Sequence, residues 1–242
     1  MKKLMVLLLI ATAAGCASKN SDKKFFDEVG QLSKEDIWAR AEALHSDKKY
    51  EDARRYYSFL SDSFPNDPIG RRSALKVADT FYARKDIESL TEAQLRYRDF
   101  SNRYPNDPGR AYALLMLGKC SSQQAKGALR DLKPLREAAE SFSQLVQLFP
   151  DSPHAVEARE LLAKAREDLA QHELEIAQYY ARLQAWQGAA QRLDFLRDTY
   201  PDTEAAREGA KLRQEIERRT GGESEETPAP DGTPTPAGPR GH

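Results

Sequence analysis

Residues 64–68 read FPNDP, residues 104–108 YPNDP, residues 149–153 FPDSP and residues 200–204 YPDTE. One phrase written four times at intervals of 40 to 51 residues marks a repeat architecture. The phrase is punctuation. Proline disfavours helical geometry in the residue before it, so the aromatic closes one helix. Asp67, Asp107 and Ser152 then stand where an N-cap is wanted, each followed by a proline suited to a first helical position. The fourth copy drops its second proline and keeps Asp202 and Thr203 as caps.

Aligned on Pro65, Pro105, Pro150 and Pro201, the copies share more. An alanine lies twelve residues upstream in each: Ala53, Ala93, Ala138 and Ala189. Large apolar residues follow at offsets 4 and 7: Tyr57 and Leu60, Tyr97 and Phe100, Phe142 and Leu145, Leu193 and Leu196. With the aromatic at offset 11, these share one stripe of a helix. Each alanine is preceded on an earlier helix by a small residue: Ala41, Ala78, Gly118 and Ala177. The pattern resembles the tetratricopeptide (TPR) repeat, with the inter-helix loop lengthened in the second and third copies. The expected fold class is all-α, a TPR-type α-solenoid of about four helix pairs plus a C-terminal capping helix. Helices are expected at 34–47, 50–64, 68–84, 89–104, 108–125 and 134–149. A long one should run from Pro153 to about Leu183, free of Gly and Pro, followed by helices at 186–200 and 203–219. Ser33 with Asp36 reads as a capping box opening the first.

The ends differ in kind. Residues 1–15 combine Lys2 and Lys3 with an apolar run that is too short to span a bilayer, the pattern of a signal peptide. Ala13-Ala14-Gly15-Cys16 resembles a bacterial lipobox, departing from the commonest form at Ala13. This implies a diacylglyceryl and an N-acyl chain on Cys16, enough together for stable anchoring in a bilayer. Ala17, not Asp, at the next position favours the outer membrane by analogy with known sorting. Residues 16–32 read as a lipidated flexible tether, with Phe25 and Phe26 unpacked, and 33–219 as the solenoid. Residues 220–242 hold five prolines, five glycines and no large apolar side chain, the composition of a disordered tail.

The chain offers little catalytic chemistry. Its net charge is −1 with 31% charged residues, no footprint for nucleic acid. His45, His154, His172 and His242 make no metal-ligand spacing, so no metal and no cofactor beyond the Cys16 lipid is expected. Gly118-Lys119-Cys120-Ser121 lacks the upstream glycine of a phosphate loop, and Cys120 reads as a half-buried helix residue rather than a nucleophile. An enzyme is not expected.

A solenoid acts through its surface. In TPR domains the inner face is lined by first-helix positions 2, 5, 9, 12 and 13. Here these are Glu35, Trp38, Glu42, His45 and Ser46, then Arg72, Leu75, Asp79, Tyr82 and Ala83, then Tyr112, Leu115, Lys119, Ser122 and Gln123. Trp38, His45, Arg72, Tyr82 and Tyr112 are the candidate peptide-binding residues: aromatic walls with a cation suit an extended peptide bearing an aromatic and a free carboxylate. A one-residue slip of register would instead put Trp38 in the core.

Lipobox, TPR array and the stretch EIAQYYARLQAWQGAAQRLDFLRDTYPDTE at 175–204 together resemble the BamD-type outer-membrane protein assembly lipoproteins. The resemblance covers about 30–219 and departs from the family where the proline tail replaces a final helix pair. It implies a non-catalytic scaffold on the periplasmic face of the outer membrane, lipid-anchored. Its implied partners are the POTRA domains of a BamA-like barrel subunit and unfolded outer-membrane proteins ending in an aromatic. Arg192 and Arg197 are the matching candidates for partner contact. The alternative is a periplasmic TPR adaptor for cell division or peptidoglycan synthesis, CpoB-like, which shares the junction phrase.

Overall fold

The computed structural model describes residues 22–125 and 131–225. The signal peptide, Cys16 and residues 226–242 of the tail lie outside the described residues. The described residues form ten helices: α1 (22–29), α2 (Lys34–Ser46), α3 (Tyr50–Ser63), α4 (Pro68–Tyr82), α5 (Ile87–Arg103), α6 (Arg110–Ala125), α7 (Lys133–Leu148), α8 (His154–Arg182), α9 (Trp186–Thr199) and α10 (Glu204–Glu225). The fold is all-α, of TPR type. Two compact units divide inside α8, Met1–Arg159 and Glu160–His242.

The stripe is the core. Ala53, Ala93, Ala138 and Ala189 are fully buried, and so, to within 3%, are all eight large residues at offsets 4 and 7. Each such side chain contributes roughly 1.5–3 kcal/mol by leaving water. The small residues on the preceding helices are buried opposite. Gly118 shows why they must be small, since a Cβ there would stand 2.4 Å from the Phe142 ring. The aromatics at offset 11 pack less than expected: Tyr104, Phe149 and Tyr200 are half-buried and Phe64 is exposed. They are C-caps, where the chain has already turned out of the helix.

The junction aspartates do two jobs. The Asp67 carboxylate accepts from the Ile69 N–H at 2.9 Å, and Asp107 accepts from the Gly109 N–H at 2.8 Å. Ser152 and Thr203 cap α8 and α10 through their hydroxyls. Each of three junctions is also clamped by a cation from an earlier helix. Lys34 meets Asp67 at 2.5 Å, Arg71 meets Asp107 at 2.6 Å, and Arg166 meets Asp202. The Lys34 ammonium and the Ile69 N–H hold the Asp67 carboxyl below the usual carboxylate range. Asp202 is therefore a clamp partner and no cap; besides Thr203, it is the Glu167 carboxylate that accepts from the first N–H groups of α10, at 2.8 and 2.9 Å. Ser33 caps α2 as expected, but the Asp36 carboxylate accepts from its hydroxyl rather than from its backbone.

Within pairs, α2 and α8 end in the same left-handed turn. Lys48 (φ 60°) and Gln184 (φ 57°) occupy the position usually given to glycine, with the bonds of a Schellman motif closing over them.

Three further expectations change. The tether is shorter, because 22–29 is helical and docks on α3. Phe25 meets the Tyr56 ring edge-on at 5.0 Å, Val29 is buried, and Glu28 accepts from the Tyr56 hydroxyl. Phe26 alone stays 60% exposed. At the other end α10 continues to Glu225, past the expected tail boundary at 220. Cys120 is fully buried, and that burial pushes its thiol up to about 12. The folded chain should resist alkylation by iodoacetamide at pH 8, while urea-unfolded chain labels at Cys120 within minutes. Equal rates would contradict the burial.

Candidate peptide-binding face

The first helices of the N-terminal unit carry the candidate residues, and the structure ties them together in rungs. Ile37 is in the core, and Trp38 is half-buried, packed against the edge of the same cluster. Trp38 meets Tyr57 edge-on at 5.5 Å, and His45 approaches the same ring at 6.3 Å. The Arg72 guanidinium from α4 lies over Trp38 at 4.7 Å, within cation–π range. Among the described residues no carboxylate comes within salt-bridge distance of Arg72, which is exposed. Trp38 with Arg72 is thus one place where an aromatic surface meets a cation without a carboxylate partner among the described residues.

The next rungs are polar. Glu42 accepts from the Tyr57 hydroxyl and faces Lys76 at 3.5 Å. Asp79 accepts from both the Tyr97 hydroxyl, at 2.6 Å, and the Tyr112 hydroxyl, at 2.8 Å. Burial first, then the Asp79 carboxylate, raises both tyrosines well above their ordinary value. Gln123 donates to the Tyr82 hydroxyl at 2.6 Å, and the Lys85 ammonium sits 3.2 Å over the Tyr82 ring. Lys119 is paired with Glu157 at 2.6 Å. The Tyr82 and Tyr112 hydroxyls are therefore already engaged, Lys85 lies over one face of Tyr82, and both rings are half-buried. Leu115, placed on this face by the spacing, is buried instead. Sequence reasoning passed over the role of Asp79 and missed Glu157; the partners of Asp79, Tyr97 and Tyr112, lie eighteen and thirty-three residues away on other helices, so no local spacing signalled it.

The two arginines of the second unit differ sharply. Arg192 turns inward and donates to Glu173 at 3.0 Å, a carboxylate only 9% exposed. Arg197 is 65% exposed and held by its own helix neighbours, Asp194 at 3.1 Å and Asp198 at 2.8 Å. Arg192→Ala should cost about 1–2 kcal/mol, since it strands a mostly buried carboxylate. Arg197→Ala should stay within about 0.5 kcal/mol. Urea denaturation compares them, and the reverse ranking would contradict these assignments.

Among the described residues, no helix is long and apolar enough to cross a membrane. Successive helix pairs with a polar-aromatic inner face on their first helices define the class of TPR-type helical-repeat proteins. The chain belongs to the YfiO outer membrane lipoprotein family, whose pattern matches residues 31–229. Its similarity to the outer membrane protein assembly factor BamD of Haemophilus influenzae is 30% identity over 91% of this chain and 86% of that protein. The BamD proteins of Neisseria gonorrhoeae (27%, over 88% and 82%) and Vibrio cholerae (25%, over 89% and 90%) are also similar.

Proposed function

We propose that this chain is a non-catalytic scaffold in outer-membrane protein assembly. It is anchored to the periplasmic face of the outer membrane by lipid on Cys16, holds the POTRA domains of a BamA-like barrel subunit, and receives unfolded outer-membrane proteins. The observation that carries this reading is the match to assembly factors along nine-tenths of the chain. The inner face supports it locally. Trp38 under Arg72 offers one apolar wall and one cation with donors to spare, and Tyr82 and Tyr112 extend the wall along α4 and α6. An extended segment ending in an aromatic and a carboxylate would place its ring on these faces and its charge at Arg72.

Purification of the native lipoprotein from detergent-solubilised envelope should recover a POTRA-containing barrel protein. Recovery of cell-division or peptidoglycan-synthesis proteins alone would favour the adaptor reading instead. For the face itself, Trp38→Ala with Tyr82→Ala should weaken binding of a peptide ending in phenylalanine at least about tenfold, or roughly 1.4 kcal/mol. Fluorescence anisotropy with a labelled peptide measures it, and unchanged affinity would remove the face from the proposal.

A further inference from the structure

The second unit carries a cavity of about 310 Å³ between the C-terminal turns of α8, the start of α9 and the middle of α10. Its floor is Ala181, Trp186, Leu212 and Ile216; Arg182, Glu215 and Arg219 are on its rim. It exists for a structural reason. α10 opens at the same junction phrase as α4, α6 and α8, so it stands as the first helix of a further pair. Among the described residues nothing follows it as a second helix. Leu212 and Trp186 are left half-buried beside the unit's core, and the indole N–H has no hydrogen-bond partner among the described residues.

We propose that this groove is occupied by the chain's own residues 227–239, TPAPDGTPTPAGP. Three features select this occupant. First, it is tethered at the right place: the groove's α10 residues begin thirteen positions before Glu225, about 20 Å of helix. Seventeen residues follow it, and at about 3.1 Å per residue a proline-rich segment of that length can span about 50 Å. Second, proline-rich segments bind aromatic-lined grooves, because their backbone is already restricted and little entropy is lost on docking. Trp186 supplies the ring and an unused donor for a proline-segment carbonyl. Third, Asp231 divides the two proline runs, and Arg182 on the rim has no carboxylate within salt-bridge distance among the described residues. A tethered occupant acts at an effective concentration near millimolar. Any partner segment entering the groove must displace it. The inference is independent of the inner face and of the barrel partner.

The test uses the full mature chain with Trp38→Phe, so that Trp186 is the only tryptophan. It is compared with the same chain in which Pro228, Pro230, Pro234, Pro236 and Pro239 are all serine. With the native tail, acrylamide quenching of Trp186 should be at least twofold weaker than with the serine tail. Adding the free peptide of residues 227–239 to the serine variant should restore the shielding. Equal quenching in the two chains overturns the proposal. So does shielding that disappears on dilution, which would put the tail of a second copy in the groove.

Discussion

Gly70→Ala is expected to lower stability by about 3 kcal/mol, although alanine is worth about 1 kcal/mol more than glycine in an ordinary helix interior. The reason lies in the junction phrase. Gly70 is in the first turn of α4, and its α-carbon lies against the last turn of α3. A Cβ there would stand 1.9 Å from the Phe64 carbonyl oxygen and 2.7 Å from its carbon, with the Leu60 oxygen at 3.1 Å. These are backbone atoms, so no rotamer change relieves the contact. The Phe64 carbonyl also accepts from the Asp67 N–H, so pushing it away opens the turn that positions the cap. The cost falls at the top of the usual overpacking range, about 1–3 kcal/mol. Gly188→Ala is the control: its Cβ would meet the Tyr180 ring at 3.4 Å, an ordinary contact, and should be neutral or stabilising by up to about 1 kcal/mol. Thermal denaturation followed by circular dichroism separates the two. A Gly70→Ala midpoint at or above that of the parent would refute the close approach of α3 and α4.

Asp79→Ala is expected to cost about as much, some 3 kcal/mol, for a different reason. The Tyr97 hydroxyl is fully buried and the Tyr112 hydroxyl half so, and both donate to the same Asp79 oxygen. Removing the acceptor leaves one deeply buried donor and one partly buried donor unpaired, at about 1–3 kcal/mol for the first and less for the second. Asp79→Asn keeps an oxygen in place and should recover most of the loss. A full loss in Asn would mean the charge, not the acceptor, is what matters. The same tyrosines set the alkaline limit. Burial and Asp79 raise Tyr97 and Tyr112, and burial with Glu42 raises Tyr57, above the unfolded value near 10. A group raised in the folded state stabilises fully below its unfolded value and loses that contribution as pH rises past it. The urea midpoint should therefore be flat in this respect up to about pH 10 and fall steeply above it. Phenylalanine at both 97 and 112 should blunt that fall.

Helix order and core were legible from the sequence because they are local. An alanine with apolar residues at offsets 4 and 7 defines one stripe whatever the rest of the chain does, and those residues are buried in all four copies; the aromatics at offset 11 fall short because they stand where the chain has already left the helix. Capping was legible for the same reason: Asp67 acts on an N–H two residues away. The docking of 22–29 was not, because Phe25 and Val29 become a core only against α3, more than twenty-five residues on. The candidate face was legible as positions but not as chemistry. Spacing put Trp38, Arg72, Tyr82, Tyr112 and Lys119 on the first helices. It could not say that Arg72 is left without a carboxylate while Lys119 is paired with Glu157. Nor could it say that Arg192 is spent on Glu173.

By itself, then, the sequence determined the repeat, the helices, the residues that fill each interface and the junctions that end each pair, since all rest on backbone geometry and on spacings within a helix or two. Only the tertiary structure decided which charges are free. Ion pairs such as Lys34 with Asp67 or Arg71 with Asp107 close over thirty-three and thirty-six residues, and whether a side chain is committed or available depends on what the neighbouring helix brings within a few ångströms of it.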